Sequence, residues 1–267
     1  MCRTNQRNQP IATNPINFIS AMRLRVLGSS SEGNCYLLES RSGVLIVEAG
    51  VPISVMRKSL ENGFNRVLGV IVTHRHGDHA KSVKDLLSSG IRVLAPHDVF
   101  ISIDVDKDPC AKPISAGKGY RLGEFQVVPF EVKHDVPCVG YIIIHPEMGR
   151  LLFVTDTMTI SQRMPRHLSH IMIETNYADD ILERNIESGA MPIAMRKRLM
   201  FSHMELGTAK RLLSRMDLSE VCNIVLIHLS SSNSDEERFV REVAVQTGKM
   251  VYAADEGREF ELSLEPY

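Results

Sequence analysis

An α/β fold is predicted by three observations. Short apolar, β-rich runs alternate along the chain with amphipathic helical patterns. Residues with ligand chemistry recur directly after those apolar runs. No glycine-rich phosphate loop follows a strand, so the alternation is not that of a dinucleotide-binding fold. With 267 residues, 43% of them hydrophobic, the chain can bury a sizeable core.

Taken in order, residues 24–27, 36–38 and 44–47 read as strands separated by turn residues. Residues 53–62 follow a helical pattern. The apolar run 67–72 ends in Thr-His, as a buried strand would, and a helix starts over 80–87. Residues 92–95, 125–129, 139–144, 151–154, 171–173 and 223–227 are further strands, and 179–188, 205–216 and 235–246 are helices. In 205–216 the apolar Leu206, Ala209, Leu213 and Met216 fall on one face.

Composition limits the function classes. The formal charge is −1, from 31 basic and 32 acidic residues, so any grip on nucleic acid must be a local patch. The five cysteines, Cys2, Cys35, Cys110, Cys138 and Cys222, are odd in number and form no CxxC pair. They imply neither a disulfide framework nor a thiolate zinc knuckle, and fit a reducing cytoplasm. The polar N-terminal segment lacks the apolar region of a secretory signal. No apolar run approaches the roughly 20 residues of a membrane span. Residues 1–21 are expected to be a disordered tail, with Met22 as an alternative start, and 22–267 to form one domain.

The strongest chemical signal is Thr73-His74-Arg75-His76-Gly77-Asp78-His79. His74, His76, Asp78 and His79 lie within six residues, directly after a buried strand. The run is too tight for one helix face, but on a strand-end loop the side chains can converge. Imidazole nitrogen and carboxylate oxygen together suit zinc and similar divalent ions. Three more ligand-type residues end apolar runs: His134 after 125–132, Asp156 after 151–154 and His228 after 223–227. Singly, each is more commonly a cap or a core residue; the order HxHxDH, His, Asp, His is specific.

At these residues the sequence resembles the metallo-β-lactamase superfamily over residues 22–262. The resemblance implies a four-layer αββα sandwich and two divalent ions, zinc or alternatively manganese. By that resemblance His74, His76 and His134 hold one ion, Asp78, His79 and His228 the other, and Asp156 bridges both. Two such ions would activate a water near neutral pH, and Asp78 could orient it or take its proton. The segments 27–36, 173–177, 203–205 and 228–233 resemble the WalJ/YycJ-type branch, whose members include DNA exonucleases. Glu48 departs from the superfamily pattern, which has aspartate there; one extra methylene must be absorbed behind a histidine ligand.

Substrate contacts are expected at Ser29, Ser30, Ser31 and Asn34, against the alternative of an ordinary polar turn. Asn176 and His203 join them, His203 also as a catalytic proton donor. Arg196-Lys197-Arg198, placed between two helices, reads first as a solvated face and second as a phosphate grip. His97, His145, His167 and His170 fit no ligand position and read as structural. The function expected is a metal-dependent phosphodiesterase acting on nucleic acid, in the manner of a DNA exonuclease. The alternatives are a phosphodiesterase of cyclic nucleotides or other small molecules, a thioester hydrolase, and a metal-binding scaffold without activity. The expected partner is a nucleic acid or nucleotide, with no membrane; monomer and homodimer both stay open.

Overall fold

The computed structural model describes residues 22–264. The tail expected at 1–21 lies outside the described residues. Six strands run first: β1 (Met22–Ser30), β2 (Gly33–Glu39), β3 (Val44–Val47), β4 (Val67–Ile71), β5 (Val93–Ala95) and β6 (Ala111–Pro113). Seven follow: β7 (Tyr120–Leu122), β8 (Phe125–Val132), β9 (Cys138–His145), β10 (Gly149–Val154), β11 (His170–Glu174), β12 (Asn223–Ile227) and β13 (Met250–Ala253). β14 (Glu259–Leu262) returns to the first sheet beside β1. The sheets are ordered β14-β1-β2-β3-β4-β5-β6 and β13-β12-β11-β10-β9-β8-β7.

Continuous apolar strands bury both faces, and alternate residues serve different cores. In β3, Leu45 and Val47 face the core between the sheets while Val44 and Ile46 face outward against helices. In β12, Val225 and Ile227 point into the inter-sheet core while Ile224 and Leu226 point to the other outer layer. The outer layer of the first sheet carries α1 (Ile53–Ser59), α2 (Gly77–Ala80), α3 (Val83–Ser88) and α4 (His97–Ile101). The rest of the chain supplies α5 (Asp179–Glu187), α6 (Ile193–Ser202), α7 (Leu206–Leu213) and α8 (Glu236–Thr247). Of these, α7 and α8 pack Leu206, Leu213, Phe239 and Val243 on the second sheet. The result is the αββα sandwich.

Local chemistry sets the helix ends. The Glu205 carboxylate accepts from the Thr208 amide at 2.8 Å to cap α7, and Asp235 accepts from the Arg238 amide at 3.0 Å to cap α8. α8 stops at Gly248, whose φ of +66° favours glycine.

One expectation is corrected, and the structure adds further elements. The helix over 80–87 is two pieces, because Ser82 turns aside to donate its amide to Ala49 O (2.9 Å) and its hydroxyl to Val51 O (2.7 Å). Arg196, Lys197 and Arg198 lie between the two expected helices, α5 and α7, but inside a further helix, α6. That helix mixes Ile193, Met200 and Phe201 with its basic run, so no apolar stripe marks it. The short strands β6, β7, β13 and β14 have three or four residues each, too few to show alternation.

Candidate metal centre

The parallel strands β3, β4, β10, β11 and β12 deliver chemistry at their carboxyl ends: Glu48, His74, Asp156, Glu174 and His228. Three of these residues have left-handed backbones, with φ of +67° at Glu48, +52° at Asp156 and +55° at His228. A non-glycine residue held there costs of order 1–3 kcal/mol, and such strain concentrates at working sites. Two bonds tie the sheets together beneath the centre. Tyr141 OH donates to Val72 O at 2.7 Å, and the Val139 amide to Thr73 O at 3.2 Å.

The HxHxDH run divides at His76, which precedes α2 with extended backbone. His74 and His76 stand on the strand-end loop, and Asp78 and His79 on the helical turn. The loop at residues 49–51 presses against that turn. A Cβ on Gly50 would lie 1.7 Å from Asp78 O, so only glycine permits the approach.

Two sets of donor atoms result. In the first, His76 Nδ1 lies 3.0 Å from His74 Nε2 and 3.3 Å from His134 Nε2. In the second, Asp78 Oδ2 lies 3.3 Å from His79 Nε2 and 3.6 Å from His228 Nε2. Asp156 Oδ2, 3.0 Å from His79 Nε2, stands where the sets meet, and His74, His79 and Asp156 form a group of their own within 4.8 Å. Ligand bonds of about 2.0–2.1 Å in a tetrahedral centre put ligand atoms about 3.4 Å apart, close to these separations. His228 Nε2 is buried and has no hydrogen-bond partner. The residues present therefore fit divalent cations.

Behind each set stands a different brace. Thr73 Oγ1 is 2.9 Å from His74 Nδ1, a neutral contact. Two fully buried carboxylates back the second set: Glu48 Oε1 is 3.3 Å from His79 Nδ1, and Glu174 Oε1 is 3.2 Å from His228 Nδ1. Each is anchored by a backbone amide, Glu48 Oε2 by Thr73 (3.2 Å) and Glu174 Oε2 by Thr157 (3.1 Å). Glu174 also holds His203 Nδ1 at 2.7 Å.

The electrostatics follow these braces. Burial holds His74 well below the usual imidazole range and also lowers His134. Burial likewise works against charging His79, but Asp156 and Glu48 outweigh it and raise that histidine well above the ordinary value. His228 is pushed up to about 10, as Asp156, Asp78 and Glu174 overcome burial. Burial also opposes ionisation of Asp156 and Asp78, yet the flanking histidines hold both carboxyls below the ordinary range. For His203, burial is outweighed by Glu174 and the pKa rises.

A cleft of about 520 Å³ opens above the centre, lined by Ser31, His76, Asp78, His134, Asp156, Asn176, His203 and His228 together with α6. Of the expected substrate contacts it therefore takes in Ser31, Asn176 and His203. Ser29 and Ser30 line the neighbouring groove, and Ser29 Oγ is already engaged by Tyr36 OH (2.8 Å) and the His228 amide (3.0 Å). Asn34 is buried and donates from Nδ2 to Ser30 O at 2.9 Å and to Asp78 O at 3.3 Å, a bracing position rather than a contact surface. Ser29, Ser30 and Asn34 thus lie outside the lining of this cleft. Sequence reasoning named Glu174 only as part of a motif; a carboxylate ending the apolar run 171–173 was the signal available. Asp135, with Oδ1 3.0 Å from His134 Nε2, was missed although it follows the same strand end as His134.

Known proteins share this fold. The β-lactamase superfamily domain pattern matches residues 51–229, more than half of the chain. Exodeoxyribonuclease YycJ of Bacillus anthracis is 25% identical over 229 residues, which cover 81% of this chain and 85% of that protein. Exodeoxyribonuclease WalJ of Streptococcus pneumoniae is 24% identical over 227 residues, covering 79% and 83%. Among solved structures, the metallo-β-lactamase fold protein YhfI from Bacillus subtilis superposes with a TM-score of 0.71 at 16% identity, covering 90% of this chain and 99% of that one. The short form of human tRNase Z does so at 0.60 and 13%, covering 90% and 99%. At such identities these two show the fold alone. The chain belongs to the metallo-β-lactamase superfamily and resembles its WalJ/YycJ branch.

Proposed function

We propose that this protein is a metal-dependent phosphodiesterase that removes nucleotides from the end of a nucleic acid strand. The observation that carries the reading is the convergence of two donor sets at the floor of one cleft, with His203 on its wall held by Glu174. The exodeoxyribonuclease names of its relatives support the same reading. His74, His76 and His134 would hold one ion and Asp78, His79 and His228 a second, with Asp156 shared; zinc suits the donors and manganese is the alternative. Bound there, divalent ions supply Lewis acidity toward a phosphoryl oxygen and a water nucleophile at neutral pH.

The chain's own groups do the rest. Asp78 orients the nucleophile and takes its proton. Glu174 occupies His203 Nδ1, which leaves Nε2 as the nitrogen that donates a proton to the departing oxygen. Asn176 and Ser31 lie where the substrate rests. Cys35, Cys110, Cys138 and Cys222 are free thiols, which suits work in a reducing cytoplasm. Among the described residues no helix is long and apolar enough to cross a membrane.

A cyclic mononucleotide is the second reading, favoured by a cleft volume of about 520 Å³, the size of one small ligand. Metal-loaded protein assayed side by side on single-stranded DNA, duplex DNA, RNA and cyclic mononucleotides decides between the two. Release of mononucleotides from a linear strand is the expected result. Turnover of cyclic mononucleotides alone would replace the first reading by the second.

A further inference from the structure

Three adjacent basic residues of α6, equivalent in sequence, have different surroundings. Arg196 is taken by Glu183, with Nε 2.7 Å from Oε1. Lys197 is exposed and outside the cleft wall. Arg198 lies on the face formed by Met195, Leu199 and Ser202, spaced three and four residues apart, and all four line the cleft above the donor sets. Among the described residues lining that cleft Arg198 is the one lysine or arginine, and no ion pair or hydrogen bond engages its guanidinium.

A second, independent feature of the same cleft points to a ligand. Asn176 is 5% exposed and its Nδ2 is fixed on His228 O at 2.8 Å, yet its Oδ1 has no partner. A buried amide oxygen without a donor carries an uncompensated desolvation cost until a ligand supplies one. The cleft thus offers a fork of N–H donors at Arg198 and an unmet acceptor at Asn176, with an apolar strip, Met195 and Leu199, beside the guanidinium. A nucleotide carries the complementary set: phosphate oxygens, sugar hydroxyl or base amine, and an apolar ring face. The adjoining groove is rimmed by Glu32, Glu236, Asp255 and Glu256, so a polyanion is steered to the α6 side.

We propose that Arg198 anchors a phosphate next to the scissile bond, and that Met195 and Leu199 form the shelf for that nucleotide's base. The proposal rests on the nuclease reading above.

The test uses metal-loaded full-length protein and a single-stranded oligodeoxynucleotide, with kcat and KM measured across a salt series. Arg198→Ala should raise KM about tenfold, the effect falling on KM more than on kcat, with metal content unchanged. The slope of log KM against log salt should fall by about 0.7, one phosphate contact on a single strand. Arg198→Lys should keep that slope but recover only part of the affinity, because it loses the two-pronged contact. Met195→Ala with Leu199→Ala should raise KM about tenfold without touching the slope. Lys197→Ala is the control and should change neither. An Arg198→Ala variant with wild-type KM and slope, or one that loses no more than Lys197→Ala, overturns the anchor while leaving the nuclease reading standing. A wild-type protein that degrades no strand and opens only cyclic nucleotides overturns both.

Discussion

The two donor sets use almost the same residue types and are built in opposite electrostatic environments. His74, His76 and His134 make an all-imidazole set with a threonine hydroxyl behind it, and burial keeps His74 and His134 neutral. Asp78, His79 and His228 sit among the carboxylates of Asp156, Glu48 and Glu174, which hold protons on the histidines when no cation is present. The first set is ready to bind a cation; the second must exchange protons for one. Two ions placed side by side would thus face different affinities and different pH responses.

Removing Asp156 should break the comparison altogether, because its carboxylate stands where the sets meet. Asp156→Ala is expected to lose metal from both sets and to lower diester turnover by at least about 10³-fold, measured by elemental analysis beside kinetics. Full activity would sink the two-set centre. Gly50→Ala should separate the sets. The added Cβ displaces the turn that carries Asp78 and His79, so metal content should drop by half while the His74 set keeps its ion. A variant with both ions in place would show that the loop at 49–51 does not position the second set.

Subtler changes sharpen the contrast. Glu174→Gln should weaken the second set about 10–100-fold, whereas Thr73→Val should weaken the first only several-fold. Chelator competition on the two variants reads this difference, and equal losses would argue against distinct braces.

The smallest effect is in pH. Metal affinity of the second set should climb with pH from 6 to 9 more steeply than that of the first, since His228 must shed a proton held up to about 10. The metal-free protein has the matching stability profile. A histidine raised above its unfolded value near 6.5 stabilises fully below that pH, and the gain is lost as pH rises through about 10. Asp78 and Asp156, held low, stabilise above about pH 4, and their gain is lost in acid. His74, His134 and His170, held low by burial, cost stability as pH drops below about 6.5, so the melting temperature of metal-free protein should peak near pH 6.5 and fall both in acid and towards 10. A melting temperature rising steadily to pH 9 would contradict these pairings.

The sequence by itself determined the main strands and the ligand-type residues that follow them, and the family resemblance carried by those residues implied the sandwich. Long apolar runs such as 67–72 and 223–227 must be buried strands, and a histidine or aspartate just beyond each has one place to be, the sheet edge where strand ends open to solvent. Short edge strands such as β6 and β13 left too few residues for a period, and α6 left no stripe, so these escaped. Tertiary structure alone decided the rest, because it depends on what meets across distant segments. Glu48 and Glu174 become braces only when β3 and β11 bring them behind His79 and His228. Asn34, polar and turn-like in sequence, is buried by the close approach of Gly50 and turned to brace Asp78. Arg196, Lys197 and Arg198 are indistinguishable as a string, and a helix turns them about 100° apart per residue, so one meets Glu183, one meets water and one meets the cleft.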